Sequence, residues 1–296
     1  MEKSRLLVTG ASGFIGSRLV RGLARDWDIL GTCWSQPSGP RMVRMDLADP
    51  RDIERVFQAA APVAVVNAAG MADPDKCEQA PDIAARADRD AVAVLGRLCR
   101  DRGARLVHFS TDLVFDGEGA MYKEEALARP LSVYGRIKLE AEQLLRDVCP
   151  GAVSLRVATV YGRARSGRPS FLDTLCARLQ RREQVPCFAD QWRTATYCGQ
   201  LPEVVAALLL RPELAGVFHW TGATRASRYE FALEACRVFA LDASLVLPAR
   251  MSDMRFIAPR PRDTSLDSSR LAGWLGIEPL SLPEGLAAAR REVPGA

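Results

Sequence analysis

The chain has 296 residues, of which 48% are hydrophobic, and it carries a formal net charge of +4. This length supports two domains with substantial cores. A modest charge without a basic run argues against a nucleic-acid partner, and no apolar stretch approaches the ~20 residues that span a bilayer. Because Met1-Glu-Lys-Ser-Arg5 leads directly into an apolar run, no signal peptide is expected. The eight cysteines lack Cys-x-x-Cys spacing, which predicts reduced thiols in the cytoplasm and no metal site.

The first predicted element is a buried parallel strand, Arg5-Leu-Leu-Val-Thr9, because it is a short apolar run with nothing polar inside it. Gly10, Gly13 and Gly16 follow this strand and open a helix. Glycines in such a place allow a tight turn, let a pyrophosphate approach the backbone and put the helix N-terminus at the phosphates. The motif therefore predicts a dinucleotide site.

Strands and helices then alternate along the chain. Further strands are predicted at 28–33, 42–46, 63–67, 105–110 and 153–157, and helices at 50–60, 82–101 and 134–148. This alternation predicts an α/β fold with a Rossmann-like, doubly wound parallel sheet. Past Gly162 a polar, basic stretch spans 163–168. We therefore place an NAD(P)-binding Rossmann domain at 1–162 and a smaller, mainly substrate-binding C-terminal domain at 163–296.

Tyr134 and Lys138 lie four residues apart on one predicted helix, so both side chains project from the same face. A free tyrosine has a pKa of ~10 and is a poor acid-base catalyst at neutral pH. A nearby ammonium favours the phenolate and lowers that pKa. The pair predicts a proton-transfer site, with Tyr134 as the acid and Lys138 as its activator.

Thr9 and the regular spacing of the glycines resemble the short-chain dehydrogenase/reductase pattern, and the length fits the extended branch of that superfamily. Further motifs occur in the order of the dTDP-4-dehydrorhamnose reductases: Asn67–Gly70, Asp75–Glu78, His108–Phe115, Leu155-Arg156, Tyr161-Gly162, Asp190–Thr194 and Arg260–Asp267. The resemblance runs from residue 5 to about residue 290. It implies NADPH-dependent reduction of a nucleotide-linked 4-keto-6-deoxy sugar, and a chain that returns to the first domain near 190–215.

The resemblance also implies roles for residues beyond the carboxyl ends of the strands, where ligands bind in such sheets. Thr111 would donate a hydrogen bond to the substrate carbonyl beside Tyr134, and Lys138 would also bind the nicotinamide ribose. The residues implied in cofactor binding are Gly10, Ser12, Gly13, Phe14, Ile15, Gly16, Trp34, Ser35, Asp46, Leu47, Asn67, Ala68, Ala69, Gly70, Ser110, Tyr134, Lys138 and Val157. Those implied at the substrate are Met71, Asp112, Leu113, Thr159, Arg193 and Arg260. Asp46 can alternatively be a loop or capping carboxylate.

The choice of cofactor depends on a missing carboxylate. An acid that binds the ribose 2′-hydroxyl is expected ~20 residues past the glycines, where Thr32-Cys-Trp-Ser-Gln36 stands instead. Nothing there repels a 2′-phosphate, and Arg18, Arg41 or Arg44 can bind one. NADPH is therefore favoured, with NADH still possible.

Three residues depart from the family pattern: Leu113 replaces a tyrosine, Thr159 a tryptophan and Asp88 an asparagine. The first two change the shape of the pocket, so the sugar and its nucleotide stay open, as does a homodimer. One alternative is a nucleotide-sugar epimerase or 4,6-dehydratase, although Leu113 cannot protonate a leaving hydroxyl. Another is a non-catalytic subunit like methionine adenosyltransferase beta.

Overall fold

A computed structural model describes residues 3–35, 37, 39, 41–164 and 169–292, so part of the basic stretch at 163–168 lies outside the described residues. The strands in these residues are β1 (Arg5–Thr9), β2 (Asp28–Cys33), β3 (Met42–Arg44), β4 (Ala64–Asn67), β5 (Arg105–Thr111), β6 (Val153–Val157), β7 (Val160–Tyr161), β8 (Val185–Phe188), β9 (Trp192–Thr194), β10 (Thr196–Tyr197), β11 (Gly216–His219), β12 (Arg225–Ser227) and β13 (Val246–Ala249). The α-helices are α1 (Phe14–Leu23), α2 (Pro50–Ala60), α3 (Pro74–Gln79), α4 (Pro81–Ala85), α5 (Ala91–Arg102), α6 (Val133–Val148), α7 (Phe171–Gln180), α8 (Leu201–Leu209), α9 (Arg228–Phe239), α10 (Ser269–Leu275) and α11 (Leu282–Arg291).

Within the described residues, seven parallel strands form the central sheet in the order β11-β6-β5-β4-β1-β2-β3. Apart from β11, this is the strand order of dinucleotide-binding folds, and the chain reverses its direction of travel between β1 and β4. The predicted α/β fold class is confirmed. One strand of the sheet was not predicted: β11 at Gly216–His219, which pairs with β6 at the edge.

Side chains of each strand enter two cores, one on each face of the sheet. Leu6 and Val8 of β1 pack with residues of α1 and α8, whereas Leu7 between them packs with residues of α2 and α5. Because both faces are covered by helices, both sets of side chains must be apolar. This two-sided burial explains the continuous apolar runs in the sequence.

A third core lies among α7, α9 and α11 together with β8 and β13. Between α7 and α9, however, the chain returns to the central sheet: α8 packs in the same core as α1, and β11 joins the sheet. The division into two domains at residue 162 stays a prediction. No helix among the described residues is long and apolar enough to cross a membrane.

The helix predicted at 82–101 is interrupted by a π-helical segment, Arg86–Asp90, between α4 and α5. Such an insertion changes the direction of the side chains that follow it, and π-bulges are frequent at functional sites. Here the segment contains Asp88, whose side chain is buried. The interruption therefore places a carboxylate inside the protein rather than on its surface.

Candidate active site

Thr111, Tyr134 and Lys138 meet where β5 ends and α6 begins. Thr111 is the last residue of β5, and the Ser132 side chain caps α6 by accepting a hydrogen bond from the Gly135 N–H at 3.2 Å. Tyr134 therefore lies in the first turn of α6 and Lys138 in the second. The Thr111 hydroxyl is hydrogen-bonded to the Tyr134 phenol, and all three side chains are buried.

Gly135 allows α6 to approach the end of β5 closely. A Cβ at this position would lie 2.2 Å from the Leu113 carbonyl oxygen, a distance that real side chains do not tolerate. Any other residue would move the first turn of α6 outward, and Tyr134 with it. The glycine therefore fixes the distance between the phenol and Thr111.

Lys138 pairs with Asp88 inside the protein. Its Nζ lies 3.3 Å from Asp88 Oδ1, and the two side chains are 6% and 1% exposed. The other carboxylate oxygen accepts a hydrogen bond from the Met71 N–H at 2.7 Å. A Cβ on Gly70 would lie 2.0 Å from Asp88 Oδ1, so the glycine makes room for the carboxylate.

The surroundings of Tyr134 keep its phenol protonated. Burial raises its pKa well above the ordinary value, the Asp88 carboxylate raises it further, and the hydrogen bond with Thr111 lowers it. This net direction is opposite to the one expected from Lys138 alone. The reason is that burial disfavours the charged phenolate and that the Asp88 carboxylate, which also pairs with Lys138, repels it. In the protein alone, Tyr134 therefore holds a proton at neutral pH.

The glycine motif forms the predicted turn between β1 and α1. Gly10 has φ +64°, the Gly13 N–H donates to the Gly10 carbonyl at 2.8 Å, and a Cβ on Gly16 would lie 2.1 Å from that carbonyl oxygen. Larger residues would be excluded here by backbone strain and by lack of space. The Gly10 turn also packs closely against Ala69, so it touches the turn that follows β4.

Hydrogen bonds join the ends of β1 and β4 to the middle of β5 beneath these turns. The Thr9 hydroxyl donates to Asn67 Oδ1 at 2.5 Å, and Asn67 Nδ2 lies 3.0 Å from His108 Nδ1. Burial lowers the pKa of His108 and the Lys138 ammonium lowers it further, so the imidazole is neutral. Its Nε2 has no hydrogen-bond partner among the described residues. The network fixes the ends of β1 and β4 relative to the middle of β5.

The remaining predicted cofactor residues lie near the same edge of the sheet. Ser12 is in the glycine turn, Phe14, Ile15 and Ala68 pack against the core of α1 and α8, and Val157 is buried at the end of β6. Beyond β3, the side chain of Asp46 accepts a hydrogen bond from the Ala48 N–H at 2.8 Å, and Leu47 packs against the core of α2 and α5. Asp46 therefore supports its own loop, and its cofactor role stays a prediction.

The segment after β2 carries an exposed aromatic residue beside a cation. Trp34 is 64% exposed, and the Arg44 guanidinium lies 5.4 Å from the centre of its ring. Ser35 is also exposed. Arg18 and Arg41 are each bound by a carboxylate, whereas Arg44 forms no ion pair within the described part of the chain. Of the three arginines considered for a 2′-phosphate, Arg44 is the one whose charge is not already satisfied.

On the predicted substrate side, Arg193 is used by the protein itself. Its Nε lies 3.0 Å from Asp112 Oδ2. Nη1 donates to the carbonyls of Trp192 and Arg262, and Nη2 donates to the carbonyl of Pro261. Four of the five N–H groups of a guanidinium thus have protein partners. The arginine cross-links three segments, and its predicted role at a diphosphate stays a prediction.

Arg260 differs from Arg193 because one of its terminal nitrogens has no hydrogen-bond partner among the described residues. Its Nη2 lies 2.9 Å from Asp75 Oδ1, while Nη1 is buried without a hydrogen-bond partner among the described residues. Met71 and Leu113 pack in the same apolar cluster as Tyr134. Thr159, with φ +23°, lines a cleft together with Arg193. The predicted substrate residues thus divide between the neighbourhood of Tyr134 and this cleft.

A buried charged network behind Ser110 was not predicted. The Ser110 hydroxyl donates to Glu142 Oε1 at 2.5 Å, and Arg156 binds the same carboxylate with Nε at 2.9 Å and Nη2 at 2.6 Å. Glu142 lies four residues after Lys138, so it shares the helix face that carries Tyr134 and Lys138. That spacing is the signal by which the sequence reveals it.

Comparisons with known proteins show the family to which the chain belongs. The sequence profile of the RmlD substrate binding domain matches residues 4–293. A probable dTDP-4,6-dihydroxy-2-methyloxan-3-one 4-ketoreductase from Streptomyces antibioticus is 35% identical, over 93% of this chain and 90% of that protein. Methionine adenosyltransferase 2 subunit beta from Bos taurus is 31% identical, over 92% of this chain and 83% of that protein. The crystal structure of dTDP-4-dehydrorhamnose reductase from Bacillus anthracis, in complex with NADP, has a TM-score of 0.90 at 24% identity and covers 99% of this chain and 100% of its own. The predicted resemblance to the dTDP-4-dehydrorhamnose reductases is confirmed.

The contacts of Arg193 predict a loss of stability without any ligand. Replacing Arg193 by Ala leaves the buried Asp112 carboxylate unpaired and frees the carbonyls of Pro261 and Arg262. We expect the free energy of unfolding, measured in urea, to fall by about 3–5 kcal/mol. The matched control is Arg237→Ala, because Arg237 pairs with Glu234 on an exposed helix face, where ion pairs contribute little. Equal stability of the two variants would contradict the cross-linking role.

Proposed function

We propose that this chain reduces the 4-keto group of a nucleoside-diphosphate 4-keto-6-deoxy sugar with NADPH. The premise is that the chain belongs to the family of the RmlD substrate binding domain. The observation that carries the proposal is the hydrogen-bonded pair of Thr111 and Tyr134 beside Lys138. A relative of the chain is named a 4-ketoreductase of a dTDP-linked compound, which supports the same reaction class.

The ends of the strands fit a dinucleotide. The turn at Gly10 and Gly16 brings backbone, without side chains, to the N-terminus of α1, where a pyrophosphate would bind. Trp34 and Arg44 would hold the adenosine end, and Lys138 would bind hydroxyls of the nicotinamide ribose. When bound, a reduced nicotinamide supplies the hydride.

The residues at the end of β5 would handle the proton. Tyr134 donates its proton to the carbonyl oxygen as negative charge develops there, and the Thr111 hydroxyl donates a second hydrogen bond to the same oxygen. The raised pKa of Tyr134 keeps the acid protonated until that charge appears.

Two other functions are consistent with the fold. A dehydratase needs an acid directly after the Thr-Asp pair, and Leu113 packs there as an apolar neighbour of Tyr134, which favours a reductase. A non-catalytic role is suggested by the relative that is a methionine adenosyltransferase subunit. Assaying NADPH oxidation against a panel of nucleoside-diphosphate 4-keto sugars separates these possibilities, since only a reductase consumes NADPH with such substrates.

Removing the Tyr134 hydroxyl tests the proposed acid. Tyr134→Phe keeps the ring but loses the proton donor, so turnover should fall at least ~100-fold, while NADPH affinity measured by calorimetry should stay nearly unchanged. Tyr229→Phe is the matched control, because Tyr229 packs in the separate core of α7, α9 and α11. Near-normal turnover of purified Tyr134→Phe would show that another group supplies the proton.

Asp88 should set the pH range of the reaction. As an acid, Tyr134 is active below its pKa, and activity is lost as the pH rises through that pKa. Asp88→Asn removes a carboxylate that raises the pKa and frees the Lys138 ammonium, which lowers it. The alkaline limb of the kcat/KM profile should therefore move to lower pH.

The control for this substitution is Asp90→Asn, two residues away, because the side chain of Asp90 is 45% exposed and pairs with Arg89. Its profile should match that of the wild-type protein. An Asp88→Asn limb that stays in place, or moves to higher pH, is incompatible with the proposed role of the carboxylate.

Cofactor preference provides a separate test. Since no carboxylate faces the 2′-position and Arg44 has an unsatisfied charge, NADPH should bind more tightly than NADH. Arg44→Ala should weaken NADPH binding and leave NADH binding nearly unchanged, whereas Ser35→Asp should shift the preference toward NADH by charge repulsion. Arg41→Ala is the control, because Arg41 pairs with Asp28. Wild-type protein that binds NADH ~10-fold more tightly, a difference of about 1.4 kcal/mol, would refute the preference.

A further inference from the structure

A cleft with about 300 Å³ of empty space, partly open to solvent, lies on the predicted substrate side of the protein. Its lining includes Thr159, Phe171, Arg193, Arg228 and Phe231. Arg193 connects the cleft to the catalytic group, because it pairs with the aspartate that follows Thr111 in the sequence. Because the cleft is partly open to solvent, it suits one part of a larger ligand rather than a whole enclosed molecule.

Three arginines, of which the first two line the cleft, influence one another electrostatically: Arg193, Arg228 and Arg260. Asp112 neutralises the first at 3.0 Å, and Asp75 neutralises the third at 2.9 Å. Arg228 forms no ion pair with any described residue, although it lies close to two other cations. Burial and the Arg193 charge together lower its pKa to about 10. The cluster therefore keeps one positive charge without a counter-charge.

The guanidinium of Arg228 is held in position by neutral groups. Its Nε donates to Gln191 Oε1 at 2.9 Å, its backbone N–H donates to the Gln191 carbonyl at 3.1 Å, and its guanidinium lies 4.8 Å from the centre of the Phe171 ring. These contacts leave both terminal nitrogens without a hydrogen-bond partner among the described residues. A planar guanidinium with two free amino groups can form paired hydrogen bonds to one phosphate.

We infer that Arg228 is a phosphate ligand, and that the cleft lined by Arg228, Thr159 and Phe171 binds the diphosphate of the substrate. The inference rests on the proposed function for the identity of the ligand, a nucleoside diphosphate linked to a sugar. An anion there supplies the missing counter-charge of the arginine cluster. It also explains why this partly buried cation is fixed by an amide and an aromatic ring instead of a carboxylate.

The test is calorimetric binding of dTDP, UDP and inorganic pyrophosphate to the whole protein. Arg228→Met removes the charge but keeps a long, unbranched side chain, and dTDP and pyrophosphate should each bind at least about 10-fold more weakly. NADPH affinity should stay unchanged, and thermal stability should fall less than in Arg193→Ala, because the hydrogen bond to Gln191 and the contact with the Phe171 ring are lost but no ion pair is. Arg228→Lys, which keeps the charge but not the planar fork, should give an intermediate affinity. Arg237→Met, on the exposed side of the same helix, should bind all three probes like wild type.

The outcomes separate this inference from the proposed function. Reduction of a nucleotide sugar with an unchanged KM in Arg228→Met would overturn the inference and leave the reductase intact. Binding of dTDP that depends on Arg228, in a protein without reductase activity, would support the inference and refute the reductase. Thymidine is the phosphate-free control, and if its binding were weakened as much as pyrophosphate binding, Arg228 would not be a phosphate ligand. Wild-type protein that binds none of the three probes would also overturn it.

Discussion

The buried ion pair between Arg193 and Asp112 is the constraint on which the site depends. Asp112 directly follows Thr111, so the position of the carboxylate fixes the end of β5. The same arginine donates to the backbone carbonyls of Pro261 and Arg262, which ties a distant segment to that strand. A buried pair of this kind often adds little net stability compared with apolar residues. Its effect is to restrict the two sides of the cleft to a single relative arrangement.

Much of the fold could be predicted because it depends on local patterns. The first parallel strands are continuous apolar runs and the glycine turn has few alternatives, so β1 to β6 were predicted near their observed positions. The strand β11 was not, since Gly216–His219 has four residues and pairs only with the distant β6. The π-helical interruption at Arg86–Asp90 also escaped prediction, because it adds no distinct residue pattern to a long helical region.

The sequence predicted which kinds of residue form the candidate site, but not how their charges are satisfied. Lys138 was expected to acidify Tyr134 because the two are four residues apart on one helix. The carboxylate that offsets it, Asp88, comes from a segment fifty residues away and reaches Lys138 only through the tertiary fold. The sequence also could not distinguish Arg193, which pairs with Asp112, from Arg228, which has no ion pair among the described residues. Both are arginines within polar segments, and the partner of Arg193 comes from a distant part of the chain.

The presence or absence of a carboxylate partner distinguishes cations that serve the structure from cations that are available to a ligand. Lys138 and Arg193 each have a buried carboxylate at 3.3 Å or closer, so their positions are fixed before anything binds. Arg44 and Arg228 have aromatic rings as neighbours and no carboxylate within the described residues. An aromatic face orients a guanidinium without neutralising it, which leaves the full charge for an anion. One of the two unsatisfied arginines lies near the end of β2 and the other lies in the cleft. The proposed cofactor and the proposed substrate would each bring a phosphate to one of them.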